Sequence, residues 1–344
     1  MNNFINFPTI SVVMSVYNGQ KYLAEAIEST LNQNIRDLEF IIIDDDSTDN
    51  SLEIVQNYRA KDSRIRVVVN ETNLGLAKSL NKGIALARGK YIARMDADDV
   101  SLPERFEKQV NFLENNPNIG VLGTNYSTIN EEGFVLHDLK LNQQPYKIWW
   151  GLFFVNQIVH PSVMMRRSIF TDYDIKYLES LSSSADYDLW FQIIPYFDLA
   201  NLNETLHLYR LHGRSISVSR KNEQERNAAS ILTNRTQQVI NLELPDDYGA
   251  YLSNTTLELS QTEALISCRA LSKLYSCFEK RYPGISRKER LEVKNDYQKK
   301  VIKIIDSQSN KLEFVPYIFR YIFFRVENKI TRTLCSISNE NETP

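Results

Sequence analysis

Tyr91-Ile92-Ala93-Arg94-Met95-Asp96-Ala97-Asp98-Asp99 runs from an apolar strand into three carboxylates within four positions. Like charges this close repel one another, so a strand that ends this way is costly to build. A divalent cation removes that cost. Hard ions such as Mg2+ and Mn2+ take oxygen ligands, often one or two carboxylates together with substrate phosphates. The plain alternative is a solvated acidic turn, because Asp-x-Asp alone is a short motif. The segments on either side favour the cation.

Upstream, strand-like and helix-like patterns alternate. Thr9–Val16 is rich in β-branched residues and reads as a buried strand. Lys21–Asn32 carries apolar residues at helical spacing. Leu38–Ile43 is a second strand, Ser51–Arg59 a second helix, Ile65–Val69 a third strand and Leu76–Ala87 a third helix. This order predicts an α/β fold, a doubly wound, mostly parallel sheet with flanking helices. Ligands of such sheets bind beyond the carboxyl ends of the strands. Asp44–Asp46 and Asp96–Asp99 both follow strands, so they are expected on one edge.

Downstream, Pro103–Asn115 reads as a helix. Ile119–Thr124 and Phe134–Leu136 read as strands around an Asn130-Glu131-Glu132-Gly133 turn. Pro145 to Arg220 is mixed and aromatic. Beyond Lys221, Gly and Pro thin out and helical periodicity runs through Glu223–Asn241, Ser253–Phe278 and Lys288–Ile305. The expected division is an α/β domain over 1–219 and a helical C-terminal region over 220–344.

The chain has 344 residues, 42% hydrophobic and 24% charged, which suits a soluble globular protein. A net charge of −3 gives no reason to expect a nucleic-acid partner. Cys268, Cys277 and Cys335 lack metal-ligand spacing, and three is an odd number for a disulfide framework. Met1–Pro8 has no basic n-region or long apolar run, and no stretch approaches 18 apolar residues. A cytoplasmic location is the default expectation.

Neither G-x-G-x-x-G nor the Walker pattern occurs among the 11 Gly. A nicotinamide or ATP site is therefore disfavoured, and a metal held near Asp98 becomes the natural partner for phosphates. Ser11-Val12-Val13-Met14-Ser15-Val16-Tyr17-Asn18-Gly19 and Ile41-Ile42-Ile43-Asp44-Asp45-Asp46-Ser47-Thr48-Asp49 resemble the start of a family 2 glycosyltransferase with the GT-A fold. Asn73-Leu74-Gly75-Leu76, Ala87-Arg88-Gly89-Lys90-Tyr91 and Asp96-Ala97-Asp98-Asp99 continue the match in order. So do His160-Pro161-Ser162, Asp186-Tyr187-Asp188-Leu189-Trp190 and Tyr209-Arg210-Leu211-His212. The resemblance covers roughly residues 8–218, and it implies that 1–219 is a catalytic domain with a nucleotide-binding half over about 1–125 and an acceptor half over about 126–219.

The resemblance implies roles. Ser15, Val16 and Tyr17 would contact the nucleotide, and Asp45 would accept from uracil N3, a donor matched by a carboxylate. Lys78 would reach the diphosphate, or else stay a solvated helix charge. Asp96 and Ala97 would lie at the ribose or the metal. Asp98, Asp99 and His212 are the metal candidates, with Mn2+ or Mg2+ as cofactor. Asp186 would be the base that takes the acceptor hydroxyl proton in an inverting transfer. Asp188 is the second candidate, and His160 and Trp150 would shape the acceptor side. The family often has Gly where Asp46 stands and Glu where Ala185 stands. His137 and His207 carry no signal.

The Gln-x-x-Arg-Trp motif of processive synthases is absent. The reaction that the resemblance implies is metal-dependent, inverting transfer of one sugar from a UDP-linked donor to a saccharide or lipid-linked acceptor in surface polysaccharide assembly. A nucleotidyltransferase and a non-catalytic nucleotide-sugar-binding protein are the alternatives. Lys311–Leu334 is aromatic and basic, suited to a membrane interface or to packing on this domain or a second subunit.

Overall fold

The computed structural model describes residues 7–213, 215, 219–253 and 259–308. Lys311–Leu334 and Cys335 lie outside these residues. The chain forms two compact units, residues 1–231 and 232–344.

The first unit opens with β1 (Ile10–Val16), α1 (Leu23–Leu31), β2 (Leu38–Asp44), α2 (Ser51–Lys61), β3 (Ile65–Val69), α3 (Leu76–Leu86) and β4 (Tyr91–Asp96). Strands β3-β2-β1-β4 are parallel neighbours in that order. Side chains alternate across the sheet because a strand repeats every second residue. Ile10, Val12, Met14 and Val16 of β1 share a core with Phe40 and Ile42 of β2, Ala93 and Met95 of β4, and Leu23 and Ile27 of α1. The opposite face carries Val13 and Ile43, against which α3 lies so closely that a Cβ on Gly83 would come within 2.6 Å of both side chains.

The sheet continues through β5 (Val100–Ser101), α4 (Arg105–Asn115), β6 (Ile119–Ile129), β7 (Val135–Leu139), α5 (Pro145–Leu152), a 3-10 turn (His160–Ser162), β8 (Met164–Arg166), α6 (Ser168–Asp172), α7 (Ala185–Ile193) and β9 (Asp198–Arg210). The full order is β3-β2-β1-β4-β8-β6-β9-β5, with β7 paired to β6. It is a mixed sheet: β8 runs antiparallel to β4 and β6, while β6 and β9 are parallel. The strand expected to end at Thr124 runs on to Ile129, because β9 pairs along its whole length, from Ile119↔Asp198 to Ile129↔Arg210. That partner lies some eighty residues away and leaves no local mark in the sequence.

Helix α8 (Lys221–Ile240) spans the division between the units. In the second unit, α9 (Tyr248–Ser253), α10 (Gln261–Arg281) and α11 (Arg287–Asp306) follow. Ser260 with Glu263 and Ser286 with Glu289 form capping boxes that start α10 and α11. The two helices pack through Tyr275 and Tyr297, stacked at 5.0 Å.

One buried charge locks the first unit. Glu39 of β2 is 3% exposed. It accepts from Ser11 Oγ at 2.7 Å, Arg88 N at 2.8 Å, Arg88 Nη2 at 2.8 Å and Arg66 Nη1 at 3.0 Å. It thereby ties β1, β3 and the α3–β4 turn together. At that turn a Cβ on Gly89 would sit 2.5 Å from Ser11 N, so the Ala87-Arg88-Gly89 run needs its glycine for close approach. Burial pushes the Glu39 carboxyl up, but the bonds from Ser11, Arg88 and Arg66 outweigh it and hold the group below its ordinary value. Glu39→Gln is expected to cost about 2 kcal/mol. Because the folded pKa is lowered, this contribution is complete above the ordinary glutamate value of about 4.3 and fades as pH falls through the lowered one. Thermal midpoints of the two proteins should differ at neutral pH and converge in acid.

Candidate active site

In the β1–β2 and β1–β4 registers, Val16 stands beside Asp44 and Ser15 beside Asp96. Both acidic clusters therefore share one edge. Asp45 N donates to Val16 O at 2.8 Å. The Asp45 carboxylate, 2% exposed, accepts from Asn70 Nδ2 at 2.7 Å and from Leu74 N and Gly75 N at 2.9 Å. It thus shapes the turn into α3, where Gly75 has φ +84°. Asp46 takes φ 62°, a left-handed conformation that Asp accepts more readily than most residues. Asn18 and Gln20 interlock with the next loop, accepting from Thr48 N at 2.8 Å and Asn50 N at 3.0 Å. Ser15 is half-buried, Val16 buried and Tyr17 54% exposed, its ring open at the lip of the edge. Lys78 stands on the exposed side of α3.

Asp96, Asp98 and Asp99 bring carboxylate oxygens within 4.8 Å of one another. Each has a different partner. Asp96 is ion-paired with Arg94, which shares its face of β4 and is 3% exposed. Asp98 Oδ2 lies 2.8 Å from His212 Nε2. Asp99, 1% exposed, meets His207 Nε2 and Arg210 N, each at 2.8 Å. Burial, then the neighbouring charges of Asp98 and Asp96, push the Asp99 carboxyl well up. Burial also raises Asp96, against the pull of Arg94. Ala97 lies between these carboxylates, half-buried.

Arg210 fastens the loop around them. Its side chain donates to Asp98 O at 2.9 Å, to Asn130 O and Glu131 O at 3.2 Å, and to Glu25 on α1. The guanidinium lies 4.6 Å from the Tyr22 ring centroid, and the same ring packs on His212.

Asp186 sits in the first turn of α7, after Ser184 at φ 62°. Asn156 Nδ2 donates to its Oδ2 at 2.8 Å, and Asn156 is itself oriented by Ile158 N at 3.2 Å. Burial raises the Asp186 carboxyl, and the Asn156 bond and the Arg94 charge partly oppose this. A raised carboxylate is a better match to proton abstraction near neutral pH. Asp188 is 3% exposed and bonded to Gln192 Nε2 at 2.8 Å. His160 Nε2 lies 2.6 Å from the Tyr177 hydroxyl. Burial holds the His160 imidazole well below its ordinary value, so it is neutral. The Tyr177 backbone in turn makes two bonds with the Asn81 carboxamide of α3, at 2.9 and 3.0 Å. Trp150 is 4% exposed, with its ring on Phe154, so it offers no open face to a sugar.

Arg94, Asn156, Tyr177 and His207 escaped the sequence reading. Arg94 stands in β4 just ahead of the acidic motif, but no pattern tells a buried arginine from a solvated one. Asn156 and Tyr177 lie in loops.

The architecture is that of GT-A glycosyltransferases. S. aureus TarS in complex with UDP-GlcNAc superposes with a TM-score of 0.57 at 20% identity, over 86% of this chain and 89% of that one. The mannosyltransferase PcManGT of Pyrobaculum calidifontis, in complex with GDP-Man and Mn2+, gives 0.51 at 15% identity, over 90% and 88%. Residues 11–173 match Glycosyl transferase family 2. An uncharacterized glycosyltransferase of Methanocaldococcus jannaschii is 41% identical over 224 residues, 63% of this chain and 76% of the relative. The O-antigen biosynthesis glycosyltransferase WbnJ of Escherichia coli is 35% identical over 216 residues, 61% and 82%. The protein belongs to glycosyltransferase family 2 and is an enzyme of that class.

Removing the Arg210 guanidinium leaves the carbonyls of Asp98, Asn130 and Glu131 without their donor. Arg210→Met is expected to cost about 2 kcal/mol, read as a lower denaturation midpoint.

Proposed function

We propose that the protein transfers a single sugar, with inversion, from a UDP-linked donor to a saccharide or lipid-linked acceptor in surface polysaccharide assembly. The observation that carries this reading is the convergence of the Asp45 turn and the Asp96–Asp99 cluster on one sheet edge. The catalytic domain is taken as residues 1–219. The nucleotide would lie across Ser15, Val16, Tyr17 and the Asp45 turn, with Asp96 and Ala97 beneath the ribose and Lys78 towards the diphosphate. Asp45 keeps one of its roughly four lone-pair sites beyond the three donors it already has.

The three carboxylates form an oxygen donor set within 4.8 Å that fits Mg2+ or Mn2+. Asp98, with Asp96, Asp99 and His212 around it, would hold the ion. When bound, it supplies positive charge to the diphosphate leaving group. Asp186 takes the proton of the acceptor hydroxyl as that oxygen bonds to the anomeric carbon. The bond from that carbon to the diphosphate oxygen breaks, and the nucleoside diphosphate leaves with the electron pair. Asn156 orients the base. His160, neutral and held by Tyr177, offers a polar edge to the acceptor. The name of WbnJ, an O-antigen enzyme, supports the polysaccharide setting.

Calorimetry of UDP and GDP, each with Mn2+ or EDTA, tests the donor site. UDP should bind only with Mn2+, and Asp98→Ala should weaken it at least tenfold, about 1.4 kcal/mol. Absence of UDP binding, or binding indifferent to metal and to Asp98, would remove the reading. Asp186→Asn should keep UDP binding and lower kcat by about 10²–10⁴. Asn156 donates to the charged form of Asp186, so Asn156→Ala should raise the base pKa further. The acid limb of kcat/KM against pH should then move to higher pH.

A further inference from the structure

Asp99 is sealed where Asp96 and Asp98 are half-open. Oδ1 accepts from Arg210 N and Oδ2 faces His207 Nε2, both at 2.8 Å. His207 is wholly buried on β9, opposite Ser101 of β5. On its other side, Nδ1 lies 3.5 Å from Nη1 of Arg105, a long contact at the limit of hydrogen bonding. Arg105 is also wholly buried. It cannot swing away, because Nη2 donates to Arg94 O at 2.9 Å and Val163 O at 3.1 Å, and Nε to Gln109 Oε1 at 3.2 Å.

A guanidinium has donors only. The His207 nitrogen that faces it must therefore present its lone pair. In a neutral imidazole the proton then resides on Nε2, which donates to Asp99.

We propose that His207 is a positioning residue: with its tautomer set by Arg105, it fixes the plane of the Asp99 carboxylate and so the spacing of oxygens that Asp96, Asp98 and Asp99 offer a divalent cation. The proposal rests on the metal reading above. Two of the four lone-pair sites of Asp99 are engaged, and the others remain for the cluster. Groups that orient a metal-binding side chain typically change metal affinity by about 10- to 100-fold when removed.

The test uses the full chain. Nitrogen-15 NMR of the imidazoles, with His207→Gln identifying the signal among four His, should show His207 protonated at Nε2 and bare at Nδ1. A proton on Nδ1, or an imidazolium, overturns the proposal without reference to any metal. Mn2+ is then titrated by electron paramagnetic resonance into wild type, His207→Gln and His207→Phe, each checked for folding by circular dichroism. His207→Phe, which has no donor for Asp99, should bind Mn2+ about 10- to 100-fold more weakly. His207→Gln, with an amide N–H, should recover most of the affinity. A folded His207→Phe with wild-type affinity overturns the proposal and leaves the metal reading standing. Wild type that binds no Mn2+ overturns the metal reading itself. If His207→Phe does not fold, the tautomer and the His207→Gln titration decide.

Discussion

Three carboxylates crowded at the end of β4 repel one another, and the surrounding structure is organised to answer that repulsion. Arg94 comes from the same strand and pairs with Asp96. His207 and the Arg210 backbone come from β9 and take Asp99. His212 comes from the chain just beyond β9 and takes Asp98. Positions 94–99 and 207–212 are thus complementary segments brought together by the sheet. Neither would be stable in this form alone, since a buried carboxylate without partners is strongly disfavoured. The compensation is partial by design of the chemistry, because burial and mutual repulsion still raise Asp96 and Asp99. Residual negative potential is what a hard cation responds to.

A second chain of contacts joins the two halves of the first unit. Asn81 on α3 grips the Tyr177 backbone through both ends of its carboxamide, and the Tyr177 hydroxyl meets His160. Arg94 lies between them electrostatically, drawing down both Asp96 and Asp186. One guanidinium therefore influences a carboxylate of the proposed donor side and the proposed base.

The first 115 residues were legible because their physics is local. Buried parallel strands are short apolar runs, and α1 and α3 carry apolar residues at helical spacing. The acidic cluster was legible because its members adjoin in sequence. The extra length of β6, and β9 itself, were not, since Ile119 pairs with Asp198 across a gap no local pattern spans. Nor were Arg94, Arg105 and Arg210. Sequence records their charge, but burial is a property of the assembled sheet. His207 sits among leucines of β9 and gained meaning only when β5 brought Asp99 and Arg105 to it.

The strand order carries a geometric demand. From β4 to β5 the sheet counts four steps, through β8, β6 and β9. Laid flat, those steps would span about 19 Å at 4.8 Å each. Yet Asp96 ends β4 and Val100 begins β5, and four residues of chain reach at most about 14 Å. The sheet must therefore curl until its far edge returns towards its middle. Asp96–Asp99 is the tether that fixes this curvature, so its length is as constrained as its chemistry. Lengthening the tether by a residue would relax the curl and spread the carboxylates in one stroke, which makes this short segment far less tolerant of insertion than an ordinary surface loop.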